Sequence, residues 1–173
     1  MNFDLDEAIL ILERTPKVLR VLLQDLPEDW THQNEGTSTW SPFDVLGHLI
    51  HGEETDWIPR AKIILSQRNE AFTPFDRFAQ EEKSKGKTME QLLAQFADIR
   101  EKNLLELSEL NIKETDLDLT GKHPELGEVT LKNLLSTWTA HDLSHLSQIT
   151  RVMAKQYREE IGIWTKYMNI MHT

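Results

Sequence analysis

Residues 131–153 read LKNLLSTWTAHDLSHLSQITRVM, and their spacing decides the fold. Leu131, Leu134, Trp138, His141, His145, Gln148 and Val152 recur at alternating steps of three and four. That is the period of one helix face, and such a seam faces the interior of a helical bundle. The stretch predicts a helix from about Thr130 to Tyr157. His141 and His145 then stand one turn apart on its inward side and point the same way. Two imidazoles so placed can reach one metal ion with bonds of about 2.0–2.1 Å. The other reading is a hydrogen-bonded pair of buried imidazoles, with Gln148 as a partner. A zinc-peptidase helix carries Glu directly after its first histidine. Here that place holds Asp142, which speaks against peptidase chemistry.

Working outward, three more helical segments are predicted. The first runs from about Leu5 to Leu26 and carries Leu5, Ile9, Leu12, Leu19, Leu22 and Leu26 at helical spacing. Thr15-Pro16 interrupts it, as a restart with Thr15 as N-cap or as a kink. The polar stretch from Pro27 to Thr39 reads as a loop. Ser41-Pro42 with Asp44 is a strong helix start, and that helix should reach about Leu65 with a bend at Pro59. Residues 66–87 form a long connection, with Phe72, Phe75 and Phe78 expected to pin it to the bundle. A long connection of this kind lets consecutive helices of a bundle run the same way. The next helix begins at Thr88, ends near Leu110 and shows an apolar face of Met89, Leu92, Phe96, Ile99 and Leu107. Residues 111–127 read as a loop, no sheet is expected, and Trp164, Tyr167 and Met168 should pack a short tail back onto the helices. The prediction is an all-α four-helix bundle in one domain, 1–173.

Composition excludes several functions. The 173 residues contain no cysteine, so disulfides, thiolate metal sites and a cysteine nucleophile are out. Any metal must be held by His, Asp, Glu, carbonyls or water. The formal charge is −10, and Lys83, Lys85 and Lys87, the densest basic group, stand beside Glu81 and Glu82. Such a chain repels phosphate backbones, so no nucleic-acid partner is expected. No apolar run is long enough to span a bilayer. The acidic start MNFDLDEAIL lacks the basic opening of a signal peptide. These features suggest a cytoplasmic protein.

A third ligand must come from another helix, and GHLIHGEE offers His48 and His51. Neither lies at the centre of the stripe Leu46, Ile50, Trp57 and Ile64. His48 is closer to a second face of Val45, Leu49, Gly52 and Ile63, so periodicity favours it weakly. Glu53 does fall on the main stripe, between Ile50 and Trp57. A buried carboxylate needs a partner. Glu53 could orient a ligand, bind the metal, act as a base, or pair with Arg60 or Arg100. Asp44, Glu54 and Asp56 read as solvated charge, and His32, His123 and His172 as solvated histidines.

WSPFDVLGHLIHGEE (residues 40–54) and GEVTLKNLLSTWTAHDLSHLSQITRVM (127–153) together resemble the DinB-like superfamily. The likeness is to the branch of YfiT-type metal-dependent hydrolases and thiol S-transferases. TPKVLRVLL and the Phe-Ala-Asp-Ile-Arg stretch at 96–100 extend it over nearly the whole chain. In that family a histidine follows a tryptophan by eight residues, which matches His48 after Trp40. The paired histidines of the last bundle helix match His141 and His145, and Glu53 fills a position five residues after the first histidine that is often acidic. The resemblance implies a four-helix bundle with a long crossover, often a homodimer, and one divalent metal ion on His48, His141 and His145. Imidazole ligands suit zinc, nickel, iron or copper alike. Three histidines leave a coordination position open, which marks catalytic rather than structural sites. The implied chemistry is metal-dependent hydrolysis or thiol S-transfer on a small molecule, with a low-molecular-weight thiol as one candidate partner and Glu53 or Gln148 orienting water or a ligand imidazole. A non-catalytic metal- or ligand-binding bundle is the alternative.

Overall fold

Three helix starts are fixed by reciprocal side-chain caps. Ser41 and Asp44 open α4 (Pro42–Thr55), Thr88 and Gln91 open α7 (Met89–Glu109), and Thr130 and Asn133 open α8 (Leu131–Lys155). Each pair satisfies two backbone N–H groups that a helix start would leave without a partner. The structure, a computed structural model, describes residues 2–68 and 70–173. Asn69, within the predicted connection, and Met1 lie outside the described residues.

Prolines set the bends. Near the N-terminus, α1 (Leu5–Leu12) gives way to α2 (Thr15–Leu23) with Glu13 and Arg14 still in the right-handed region, so the chain kinks there. Thr15 is not a cap; its hydroxyl donates back to the Ile11 carbonyl at 3.4 Å. Further on, α4 ends at Thr55 and α5 (Trp57–Ser66) begins after Asp56, whose φ and ψ are −106° and −68°. Pro59 lacks an N–H for the Thr55 carbonyl and crowds it, so the chain bends at Asp56, whose N–H and carbonyl still bond Gly52 and Arg60 in helical register, each at 2.9 Å.

The bundle is made of α1 with α2, α4 with α5, α7 and α8. Its apolar core divides into two clusters. One holds Leu12, Trp57, Ile58, Ile64, Leu107 and Trp138; the other holds Leu19, Leu46, Ile50, Leu92, Phe96 and Ile149. Along each bundle helix the sequence between the clusters is where polar groups are buried: Glu53 on α4, Arg100 and Asn103 on α7, and Asp142 on α8. His141 and His145 fall in the same interval on α8, and His48 precedes it on α4, among Leu46, Leu49 and Ile50.

Several predicted loops carry structure. The 27–39 stretch contains α3 (Glu28–His32), which starts after Pro27 with Glu28 and Asp29 in its first turn. There His32 stacks on Phe43. The crossover contains α6 (Ala79–Ser84), which packs on α4. Gly47 permits this approach, because a Cβ there would sit 2.5 Å from Ser84 Oγ. Phe72 is buried, but Phe78 is 58% exposed and pins nothing. A sheet was not expected, yet β1 (Thr120–His123) and β2 (Gly127–Thr130) form an antiparallel hairpin. Its turn returns through Gly127 at φ +78°, a value that suits glycine. The Phe72 N–H donates to the Lys122 carbonyl at 3.0 Å, tying crossover to hairpin. Finally, Trp164, Tyr167 and Met168 are exposed, and the tail docks through buried Met171 instead. Among the described residues, no helix is long and apolar enough to cross a membrane.

Candidate metal centre

The α4 cap and the α8 cap set the registers that bring three imidazoles together. His48 Nε2 lies 3.1 Å from His141 Nε2, and His145 Nε2 lies 3.1 Å from the same atom. Metal–nitrogen bonds of about 2.0–2.1 Å at tetrahedral angles place ligand nitrogens about 3.3–3.4 Å apart. Hydrogen bonding alone serves this arrangement poorly. His145 Nδ1 faces Gln148 Oε1 at 2.8 Å. That carbonyl accepts the ring proton, which leaves a lone pair on His145 Nε2. One proton on His141 Nε2 can then serve only one of its two neighbours. A cation at the centre satisfies all three lone pairs, so the residues present fit a metal. Among the described residues, these are the group whose donor atoms converge in this way.

Aromatic rings fix the imidazoles. The His48 ring lies 4.8 Å from Trp40 and meets Phe75 edge-on at 5.3 Å. Trp57 meets His141 edge-on at 5.2 Å and stacks on Trp138 at 5.8 Å. His51, the other candidate on α4, points elsewhere: its Nδ1 is 3.1 Å from Lys83 Nζ, and its ring packs on Phe75.

Burial keeps the cluster neutral. It pushes His48 and His141 down to about 3 and lowers His145 as well, with the neighbouring imidazoles adding to the effect on the first two. The unfolded histidines titrate near 6.5. Below that pH the unfolded chain takes up protons that the folded chain refuses, so stability falls on acidification. Burial raises Glu53 and brings Asp56 up to about 6, and these carboxyls oppose the trend. Three imidazoles outweigh two carboxyls. The metal-free chain should therefore show a urea midpoint that drops steadily from pH 7 to pH 5. A midpoint that holds or rises over that range would contradict the neutral cluster.

Glu53 sits in the buried belt, bonded on both oxygens. Arg100 Nη2 and Trp138 Nε1 donate to Oε1, each at 2.8 Å, and Asn103 Nδ2 donates to Oε2 at 3.0 Å. Of the partners considered from sequence, Arg100 is the one it has. Arg100 also forks onto Asp142 at 2.7 and 3.0 Å. Burial alone would lower the Arg100 pKa, but Glu53 and Asp142 hold it above its ordinary value. Asn103 was not singled out from sequence; Arg100 entered only as one possible partner of Glu53, and Asp142 only as the residue that replaces the peptidase glutamate. The signal was there on α7: Phe96, Arg100, Asn103 and Leu107 keep the seam spacing.

Beside the imidazoles opens a pocket of about 610 Å³, bordered by Trp40, Trp57, Phe75 and the hairpin. Asp56 and His123 line it too, and Asp56 is buried, contrary to its reading as solvated charge. Asp56 pairs with Arg60, one helical turn on, at 2.9 Å.

Fold and site define a class: a four-helix bundle with three converging imidazoles at the edge of a pocket. The chain belongs to the DinB superfamily, whose family model matches residues 11–149. It is 22% identical over 155 residues to an Oceanobacillus iheyensis protein named "Putative metal-dependent hydrolase", covering 90% of this chain and 89% of that one. Among solved structures it resembles YfiT from Bacillus subtilis, described as "a probable metal-dependent hydrolase with an unusual four-helix bundle topology". That match has a TM-score of 0.76 and 22% identity over 88% of this chain and 87% of that one. It also resembles TT2238, a four-helix bundle protein, with a TM-score of 0.58 and 23% identity over 85% and 98% of the two chains.

Proposed function

We propose that the chain binds one divalent metal ion through His48, His141 and His145, and that it is a metal-dependent hydrolase of a small molecule held in the adjoining pocket. The observation that carries this reading is the convergence of three neutral Nε2 atoms on one point beside an open pocket. The names of the relatives point the same way. A divalent ion supplies Lewis acidity and lowers the pKa of water at neutral pH. The protein's own part is to hold three lone pairs in place and to wall the centre with Trp57 and Phe75. Gln148 keeps the His145 proton on Nδ1 and so keeps Nε2 available. Glu53 serves as a positioning residue. It holds Trp138, which stacks on Trp57, which in turn braces His141.

The test is turnover of a panel of small esters, amides and phosphoesters, with and without added zinc, nickel or iron(II). Turnover should vanish on chelation, return on remetallation and be absent from His145→Ala. Turnover that survives chelation contradicts the reading. Turnover that requires an added low-molecular-weight thiol would assign thiol S-transfer instead.

A further inference from the structure

The pocket has a second polar region that the imidazole centre does not use. Arg60 is 7% exposed and lines the pocket. Its Nη2 forms an ion pair with Asp56 Oδ1 at 2.9 Å and donates to the Thr73 carbonyl at 3.5 Å. Its Nε is buried with no hydrogen-bond partner among the described residues. A guanidinium carries five N–H donors in a planar fork, and Asp56 and Thr73 engage this one only through Nη2. Its carbon lies 5.4 Å over the Phe72 ring.

His123 stands at the edge of the same ring, at 6.1 Å, and also lines the pocket. Its Nδ1 accepts from the backbone N–H groups of Glu125 and Leu126, both at 3.1 Å. The ring proton is therefore on Nε2, which makes that atom a donor. Burial and the neighbouring Arg60 hold His123 below its usual pKa, so it is a neutral donor at pH 7. Two donors with spare capacity thus flank one phenylalanine inside the pocket.

We propose that Arg60 and His123 form the subsite for an anionic group, a carboxylate or a phosphate, on the pocket's small-molecule ligand. The proposal rests on the hydrolase reading only in taking that ligand to be the substrate; binding of the anion needs no metal. Charges around the subsite are mixed. Asp56 occupies one arm of Arg60 and Glu125 borders the pocket, while Arg77, 5.4 Å over the Trp40 ring, adds a second cation. An oxyanion takes the guanidinium edge that Asp56 leaves, where charge-assisted hydrogen bonds are strongest.

The probes are 3-phenylpropionate, 2-phenylethylphosphonate and the neutral 3-phenylpropanamide, titrated into the full chain in chelator and followed by calorimetry. At least one anion should bind tenfold or more tightly than the amide, and the tighter anion identifies the group. Arg60→Gln should erase that difference, and exposed Arg158→Gln should leave it intact. Should Arg60→Gln fail to fold, His123→Phe decides, with an expected loss of severalfold for the anion alone. Equal binding of anions and amide, no binding of any probe, or full anion affinity in His123→Phe and in folded Arg60→Gln would overturn the subsite. Metal uptake, measured separately, shows whether the hydrolase reading stands or falls with it.

Discussion

Replacing Arg100 with methionine should destabilise the chain by about 3–5 kcal/mol, the cost of leaving a buried charge without its partner. Arg100 is 1% exposed and joins four helices. It donates to Glu53 on α4, forks onto Asp142 on α8, and reaches the Leu12 carbonyl at the end of α1 at 2.8 Å. That last bond has a local cause. The Leu12 carbonyl would accept from residue 16 in a continuous helix, but Pro16 has no N–H to give. Methionine fills much of the same volume but strands two carboxylates and one carbonyl. Urea denaturation of Arg100→Met should show the loss, and the triple variant Arg100→Met/Glu53→Gln/Asp142→Asn should regain much of it. A loss below about 1 kcal/mol would mean that the carboxylates find other partners, and the belt would not be the tie between helices described above.

The second large effect concerns metal affinity. His48→Ala, His141→Ala and His145→Ala should each abolish stable binding, because the two imidazoles left cannot close a site. Gln148→Leu should weaken binding about 10–100-fold, since it removes the group that sets the His145 tautomer. His51→Ala should bind as the parent does, because its Nδ1 is turned toward Lys83. Competition against a chromophoric chelator reads all five variants. Loss in His51→Ala with retention in His48→Ala would reverse the assignment on α4.

The paired histidines were legible because capping and periodicity agree over α8: Thr130 with Asn133 starts it, and the seam runs unbroken to Val152. The choice between His48 and His51 was barely legible from periodicity, since it depends on which side of α4 meets α8. The family spacing from Trp40 pointed to His48, and the geometry brings that residue to the cluster. The buried belt was legible only in part: Glu53 stood on the α4 stripe with Arg100 as one possible partner, but Asn103 and Asp142 had no inward role. A stripe reading treats charged residues as outward-facing, and Arg100 and Asp142 are inside because they neutralise each other there. Asp56 was misread through the same assumption. The hairpin escaped notice because its strands are four residues each, too short for alternation to register, and its flanks look like loop punctuation.

The proposed hydrolase activity depends on a metal at the imidazole cluster. The most direct measurement is elemental analysis of chain purified without a metal-affinity tag, before and after remetallation. The account predicts about one divalent ion per chain, removed by chelation and restored by remetallation. Less than about a tenth of an ion per chain after remetallation would contradict it, and would leave His48, His141 and His145 as buried imidazoles in a packed bundle.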